Sequence, residues 1–568
     1  MRLFLPLLLV CLPALQAATL DGAKVYADHC ASCHASPAGR IPSRETMARL
    51  TPRRIVNSLE SGIMFMPGRR MTPEERRSVA EFLTGKSYGI QQAQSTAGRC
   101  AAASPAPAGR LTAANLPSLK LRWAFGFEGE VMAFAQPTVS GNRLYVGSAS
   151  GSVYALDAAT GCTHWQFEAE AAVRTAIVVQ GDRLWFGDLH SNVYSVDSGS
   201  GEMRWKKKLD AHPSARITAA PALHEGRLYV PVSSFEEGMA SMPSYSCCTF
   251  RGSLVALDAT SGRQIWQRFT IDKPAAVRGK NKQGAAQRGP SGVAIWSTPT
   301  VDPKRGLVYV TTGDNYSDPG TPLSDAILAI RLNNGSIAWA KQVLANDRWN
   351  AACLGDKVNC PEDNGPDADF GSSALLTRTP SGRELLIAAQ KSGIVWALDP
   401  DKRGEIVWST PAGKGGPLGG IQWGHALDAT QVYAPISDVQ LPDMANTGGG
   451  LVALNLETGK VAWKAPPAAC GTRAPCSPAQ MAAAAVIPGA VISGARDGIY
   501  RAYAAGDGSI LWSFDTWRDF ETVNNVAARG GSIDGPGPTI AGNMMYVNSG
   551  YSLWNGRGGN VLLAFSAD

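Results

Sequence analysis

The chain has 568 residues, a formal net charge of +6 and only 18% charged residues, with 61 Gly and 36 Pro. That length exceeds one ordinary core, and the Gly and Pro content suits many short strands and turns rather than a helical bundle. The charge is mild and holds no Lys/Arg run, which argues against a nucleic-acid partner.

Met1–Ala17 (MRLFLPLLLVCLPALQA) places one Arg ahead of an apolar run that ends in small residues. It reads as a secretory signal over 1–17, too short to span a membrane, and no later stretch is apolar enough to span one. Residues 18–88 are expected to form a small α-helical domain. Cys30-Ala31-Ser32-Cys33-His34 has the C-x-x-C-H spacing that attaches a c-type haem. The pattern also occurs as a zinc half-site or a redox dithiol, but its surroundings favour haem. Helices are expected over Leu20–Asp28, Pro52–Leu59 and Pro73–Leu83, the last with Pro73, Glu74 and Glu75 in its first turn. Between the second and third lies SGIMFMP. Haem iron in an electron-transfer protein takes a His on one side and a Met thioether on the other. His34 is then the proximal ligand and Met64 or Met66 the distal one. The segment resembles small class I cytochromes c. Covalent haem together with export points to a bacterial periplasm.

Residues 89–118 are rich in Ala, Pro, Ser and Gln and read as a linker. From 119 to 568 the chain repeats itself. SVYALDAATGCTHW ends at Trp165, and related segments end at Trp205, Trp266, Trp339, Trp408, Trp463 and Trp512. Each reads as an alternating strand, an Asp/Asn/Gly turn and a strand closing on Trp. An eighth copy is split: NVLLAFSAD at the end of the chain lacks its Trp, and Leu119–Trp123 (LKLRW) lacks its beginning. Pairing the two closes a ring, so an all-β eight-bladed propeller is expected behind the helical domain. The Trp residues would dock blade on blade. The steps between successive Trp residues are 40, 61, 73, 69, 55 and 49 residues, so surplus loops between Trp205 and Trp408 should build a site.

Of 11 cysteines, Cys11 falls in the signal, and Cys30 and Cys33 go to haem. The even remainder in an oxidising compartment suggests disulfides. Cys353/Cys360 and Cys470/Cys476 are close enough to staple loops, Cys247 and Cys248 are adjacent, and elimination leaves Cys100 with Cys162.

The repeat form A-x-D-x-x-T-G-x-x-x-W resembles that of the pyrroloquinoline quinone (PQQ) dehydrogenases over nearly all of 119–568. The domain order, with haem ahead of the propeller, resembles the branch that oxidises polyvinyl alcohol. The resemblance implies a cofactor, PQQ, that is a flat tricarboxylate ortho-quinone, and a Ca²⁺ at its quinone edge. VPVSSFEEG resembles the segment ending in a calcium-binding Glu, here Glu236. YVTTGDNYSDP resembles a segment carrying a second ligand, which falls on Asp314 or Asn315. ANDRWN resembles the segment of the catalytic base, which implies Asp347 as base and third oxygen donor. VAIWSTPTVDP implies Trp296 as the floor beneath PQQ. Arg174 and Thr218 match carboxylate-binding positions, Lys391 stands where many relatives have Arg, and Gln422 and Trp423 match a lining segment. Alcohol dehydrogenases of the family carry an adjacent Cys–Cys disulfide beside the cofactor-binding Arg. The loop around Arg174 has no Cys, and Cys247-Cys248 is expected to supply that element from another loop.

The haem then takes electrons from the quinone. The expected reaction is oxidation of an alcohol, on a polymer or a small molecule, with electrons leaving through haem c to an external acceptor such as a soluble cytochrome c. A dehydrogenase for simple alcohols or sugars, or a non-catalytic propeller scaffold, is the alternative.

Overall fold

The structure, a computed structural model, describes residues 20–37, 41–60, 64–68, 70–88, 94–95, 100, 108–441, 444, 447–474 and 476–567. The signal read over 1–17, most of the linker and the side chain of Met66 lie outside the described residues. The chain divides into two compact units, Met1–Glu60 with Met64–Gly89, and a second one that holds Ile90–Asp568.

The first unit is helical: α1 Gly22–His29, α2 Ala31–His34, α3 Arg44–Ala48, α4 Pro52–Glu60, α5 Phe65–Gly68 and α6 Pro73–Thr84. Helix α6 starts where its sequence dictates. Thr72 caps it through a capping box with Glu75, Pro73 fills a position that needs no N–H, and Gly85 ends it with φ +66°. Val25, Tyr26, Met47, Val56, Leu59, Met71, Val79, Ala80 and Leu83 form the core, and Met64 packs at its edge.

The second unit has eight blade sheets, six of four strands and two of five. Blade 1 runs from Thr138–Ser140 to Thr163–Glu168, and blade 2 from Val178–Gln180 to Met203–Lys208. Blade 3 runs from Ala222–His224 through Arg227–Ser234 and Ser253–Asp258 to Gln264–Phe269. Blade 4 runs from Thr300–Asp302 through Leu307–Thr311 and Ala326–Arg331 to Ile337–Gln342. Blade 5 runs from Leu375–Arg378 through Glu384–Ala389 to Glu405–Pro411. Blades 6 and 7 begin at Ala426–Leu427 and Ala485–Ile487. The eighth joins Thr539–Ala541, Met544–Ser549 and Val561–Ala567 to Leu119–Gly126, with Leu119 opposite Ala567 and Gly126 opposite Val561. The split repeat therefore closes the ring as its halves imply. The end of the segment read as linker is part of this unit rather than a tether: Leu111 and Leu116 are buried in its core, and the Leu111 N–H donates to Gly542 O.

The repeat chemistry explains the docking. In blade 1 the Asp157 carboxylate accepts the N–H groups of Ala159 and Thr160 and the Thr160 hydroxyl, which fixes the turn. Gly161 follows with φ +72°, and a Cβ there would meet the Trp123 ring at 2.8 Å. Each blade's turn glycine thus lies against the Trp of the blade before it. The indole N–H of Trp123 donates to Ala158 O, that of Trp165 to Ser198 O, that of Trp266 to Leu332 O and that of Trp463 to Ala505 O. Trp339 departs from this: its buried Nε1 has no hydrogen-bond partner.

Candidate active site

In an antiparallel blade the segment entering the first strand and the loop leaving the second lie at the same end. Arg174, Arg216, Thr218, Trp296, Asp367, Asp369, Gln422 and Trp423 all precede first strands, and Glu237, Asp314 and Lys391 follow second strands. The topology therefore collects residues spread over 250 positions at one end of the propeller.

Its centre is acidic. Carboxylate oxygens of Asp314, Asp367 and Asp369 lie within 4.8 Å of one another, all buried. Both oxygens of Asp314 are buried without a hydrogen-bond partner, and so are both of Asp325. The Asp314 N–H donates to Asp369 Oδ1 at 2.6 Å, and Lys391 Nζ contacts Asp367 Oδ1 and lies 3.8 Å from Asp369 Oδ2. Burial, and then the charge of Asp369, lift Asp314 and Asp325 well above the usual carboxylate range. Burial lifts Asp367 likewise, with Lys391 pulling the other way. Glu237 is pushed up to about 7 by burial and by Asp369. Lys391 is held upward by Asp367, Asp369 and Glu237 against its own burial. A buried set of oxygen donors with orphaned lone pairs and one lysine fits a hard cation, and all-oxygen ligation suits Ca²⁺.

This set overlaps the expected one only in part. Asp314 belongs to it. Asn315 does not: its Nδ2 donates to Ser291 O, and its Oδ1 accepts the N–H and hydroxyl of Thr321. Glu236, expected as a ligand, is fully buried and faces elsewhere. It accepts the Tyr245 hydroxyl at 3.0 Å, the Thr249 N–H at 2.9 Å and the Phe250 N–H at 2.7 Å. It is a clamp on the loop that carries Cys247-Cys248. Its neighbour Glu237, in the short helix α7 Glu236–Met239, is the one that the charge of Asp369 raises and whose own charge raises Asp314. Asp347 accepts the Ala368 N–H at 2.7 Å and the Asp367 N–H at 3.2 Å, so its carboxylate holds the backbone of the segment that bears Asp367 and Asp369. Those two were missed in the sequence. Two Asp residues close together in PDADFG are the signal that was there to read, and Asp367 itself sits at φ +58°.

The walls are aromatic. Trp296 meets Trp423 edge-on at 5.4 Å, and Lys391 Nζ lies 5.9 Å from the Trp296 ring centroid. A Cβ on Gly371 would meet Trp296 at 2.3 Å, so glycine is required two residues after Asp369. Trp296 and Tyr245 pack against the cluster that contains Cys247 and Cys248, which are bonded to each other and buried. Trp423 Nε1 donates to Asp534 at 2.6 Å, and Gln422 Nε2 to Gly419 O. Beyond Trp423 the sign reverses. The Arg174 guanidinium stacks over Trp423 at 4.2 Å with one nitrogen buried and unpartnered. Arg216 stacks over Phe235 at 4.4 Å, and Thr218 Oγ1 lies 2.9 Å from Ser233 Oγ. A planar ligand with anionic groups at one end and metal-binding oxygens at the other matches this polarity, as PQQ does.

The other disulfides are Cys100–Cys162, Cys353–Cys360 and Cys470–Cys476. In the helical unit Cys30 and Cys33 are not bonded to each other. His34 is buried, and its Nδ1 lies 2.9 Å from Pro42 O. A carbonyl only accepts, so Nδ1 carries the proton and Nε2 is the nitrogen left for iron. These residues fit a thioether-linked haem.

Known proteins match this arrangement. Residues 84–341 and 391–530 match the PQQ-repeat family model described as outer membrane protein assembly factor BamB. Residues 17–83 match the one described as cytochrome C oxidase, cbb3-type, subunit III. The polyvinylalcohol dehydrogenase of a Pseudomonas species is 38% identical, covering 99% of this chain and 96% of that protein. That of Sphingopyxis sp. (strain 113P3) is 36% identical over 98% of this chain and 94% of its own. The structure of quinohemoprotein alcohol dehydrogenase ADHIIG from Pseudomonas putida HK5 superposes with a TM-score of 0.59 at 17% identity, covering 81% of this chain and 78% of that one, a likeness of fold. The chain belongs to the PQQ-repeat propeller family and, by identity over its whole length, to the polyvinyl alcohol dehydrogenases, as an alcohol dehydrogenase that uses PQQ and haem c.

Proposed function

We propose that the protein oxidises secondary hydroxyl groups of polyvinyl alcohol to ketones in the periplasm, with an external acceptor such as a soluble cytochrome c taking the electrons. The reading rests on the full-length likeness to two polyvinylalcohol dehydrogenases. Among the described residues no helix is long and apolar enough to cross a membrane.

Asp314, Asp369 and Glu237 would hold Ca²⁺ in this reading, and Arg174 and Thr218 would bind the cofactor's carboxylates. Bound PQQ would supply a hydride acceptor and Ca²⁺ a Lewis acid, and haem c, on Cys30, Cys33 and His34 with Met64 or Met66, would supply a one-electron outlet. Asp367 takes the hydroxyl proton. Of the clustered carboxylates it is the one in contact with Lys391, whose ammonium lies by the Trp296 floor. Lys391 stabilises charge that develops on the ring side, and Asp347 keeps Asp367 in place through the backbone. Trp296, Trp423 and the Cys247–Cys248 disulfide exclude water.

The test is reconstitution of the full chain with PQQ and Ca²⁺, followed by dye reduction with polyvinyl alcohol, small secondary and primary alcohols, and aldoses. Turnover of the polymer supports the proposal. Turnover of small alcohols or sugars alone makes it a dehydrogenase for those, and PQQ binding without turnover of any of them makes the propeller a scaffold.

A further inference from the structure

Most cations set deep in this propeller have a carboxylate. Arg496 has Asp534 at 2.8 Å, Arg501 has Asp497 at 2.6 Å, Arg305 has Asp302 at 2.8 Å, and Lys391 has Asp367. Arg174 and Arg216 stand apart: among the described residues neither has a carboxylate within salt-bridge distance. They are also close enough to oppose each other. Burial and the charge of Arg174 together pull Arg216 down to about 10. Two guanidinium groups that oppose each other, each only partly exposed and neither in a salt bridge, with Asp534 the one described carboxylate that feels the charge of Arg174, are costly unless an anion completes the arrangement.

The backbone holds Arg216 where such an anion would sit. Ala215–Arg216 pairs with Ser233–Ser234, the end of the second strand of blade 3. Arg216 ends this short strand, and Thr218 follows two residues later on the side where Ser233 lies. Thr218 Oγ1 and Ser233 Oγ lie 2.9 Å apart and add hydroxyl groups to that face. The Phe235 ring supports the guanidinium plane at 4.4 Å, which lowers the entropy lost when the fork engages a ligand.

We propose that Arg216 is a second carboxylate-binding cation of the cofactor site, paired with Arg174 and facing a ligand that brings more than one carboxylate to this end. The proposal rests on the PQQ reading and deepens it. PQQ carries three carboxylates, and one arginine leaves too little positive charge for them. A chain of contacts joins the basic end to the acidic one: Arg174 over Trp423, Trp423 against Trp296, and Lys391 by Trp296 with Asp367 and Asp369 beyond. A flat ligand lying along it presents carboxylates to Arg174 and Arg216 and its quinone edge to the cation site. Arg216 does not touch the reacting carbonyl in this arrangement, so its effect falls on binding.

The experiment uses the full apo chain as wild type, Arg216→Ala and Arg216→Lys, each titrated with PQQ and with its trimethyl ester in the presence of Ca²⁺, and each melted without ligand. Loss of one charge-assisted contact predicts that Arg216→Ala weakens PQQ binding by about 10- to 100-fold. Arg216→Lys should retain part of the affinity, and the ester should bind all three proteins equally. Because the substitution removes an uncompensated charge, apo Arg216→Ala should melt no lower than wild type. Equal PQQ affinity in wild type and Arg216→Ala would overturn the proposal, as would an equal loss for PQQ and ester. A wild-type chain that binds no PQQ would instead strike the functional reading itself.

Discussion

Glu236 and Glu237 are adjacent, and the structure gives them opposite tasks. The decisive perturbation is the pair Glu236→Gln and Glu237→Gln, each in the full apo chain. Glu237 feels the charge of Asp369 and itself raises Asp314, two carboxylates whose oxygens form a cluster within 4.8 Å with Asp367. Two unit charges about 4 Å apart attract by roughly 4 kcal/mol at an effective dielectric of about 20. Removing Glu237 loses one such attraction to the cation, but it also relieves repulsion among the remaining carboxylates. A net loss of about 1.4–2.8 kcal/mol, or 10- to 100-fold in Ca²⁺ affinity, is expected. Glu236 contacts the 245–250 loop, through the Tyr245 hydroxyl and the N–H groups of Thr249 and Phe250, and has His212 Nε2 at 3.4 Å. In Glu236→Gln the amide NH₂ faces donors and leaves a buried N–H unsatisfied, a cost of about 1–3 kcal/mol. That variant should melt at a lower temperature and expose Cys247–Cys248 to reductant sooner, yet bind Ca²⁺ within about 3-fold of wild type, since 1.4 kcal/mol is a factor of ten. Calorimetric titration with Ca²⁺, alongside thermal melts, reads both effects. If Glu236→Gln loses Ca²⁺ while Glu237→Gln keeps it, the assignment of the clamp and the ligand is reversed and the reasoning fails.

Asp367→Asn should retain PQQ and haem yet lose turnover by on the order of 10²-fold or more, measured by dye reduction; near-normal turnover would remove Asp367 as base. Gly335 has φ +73°, and a Cβ there would meet Trp266 at 2.6 Å, so Gly335→Ala should cost about 1–3 kcal/mol in a denaturant melt. Cys247→Ser/Cys248→Ser should weaken PQQ binding without unfolding the ring, and a non-reducing peptide map of the native chain should return the two cysteines joined to each other. A pyridine haemochrome spectrum should show thioether-linked haem, and whichever of Met64→Ala and Met66→Ala abolishes the Met-ligated spectrum identifies the distal ligand.

Much of the architecture is local and therefore legible. A turn Asp, a following Gly and a closing Trp recur because every blade repeats the same contact with its neighbour, as Asp157, Gly161 and Trp123 show. The split eighth blade is legible for the same reason, since each half carries half of that pattern. C-x-x-C-H is legible because the attachment of haem needs only five consecutive residues. The site obeys no such local rule. An ungapped match cannot choose between Glu236 and Glu237, because neighbours on one helical turn point about 100° apart. Asp314 and Asn315 divide in the same way, one left open to the cluster and the other consumed by Ser291 and Thr321. Asp367 and Asp369 reach Asp314 across more than 50 residues, and Arg216 feels the charge of Arg174 only because successive blades deliver their entering segments to one end of the ring. Sequence alone determined the repeats, the ring closure and the haem motif, all of which are short-range patterns. Which carboxylates and which guanidiniums face the cofactor was decided by tertiary structure, because that depends on where each side chain finds or lacks a hydrogen-bond partner once the blades have closed.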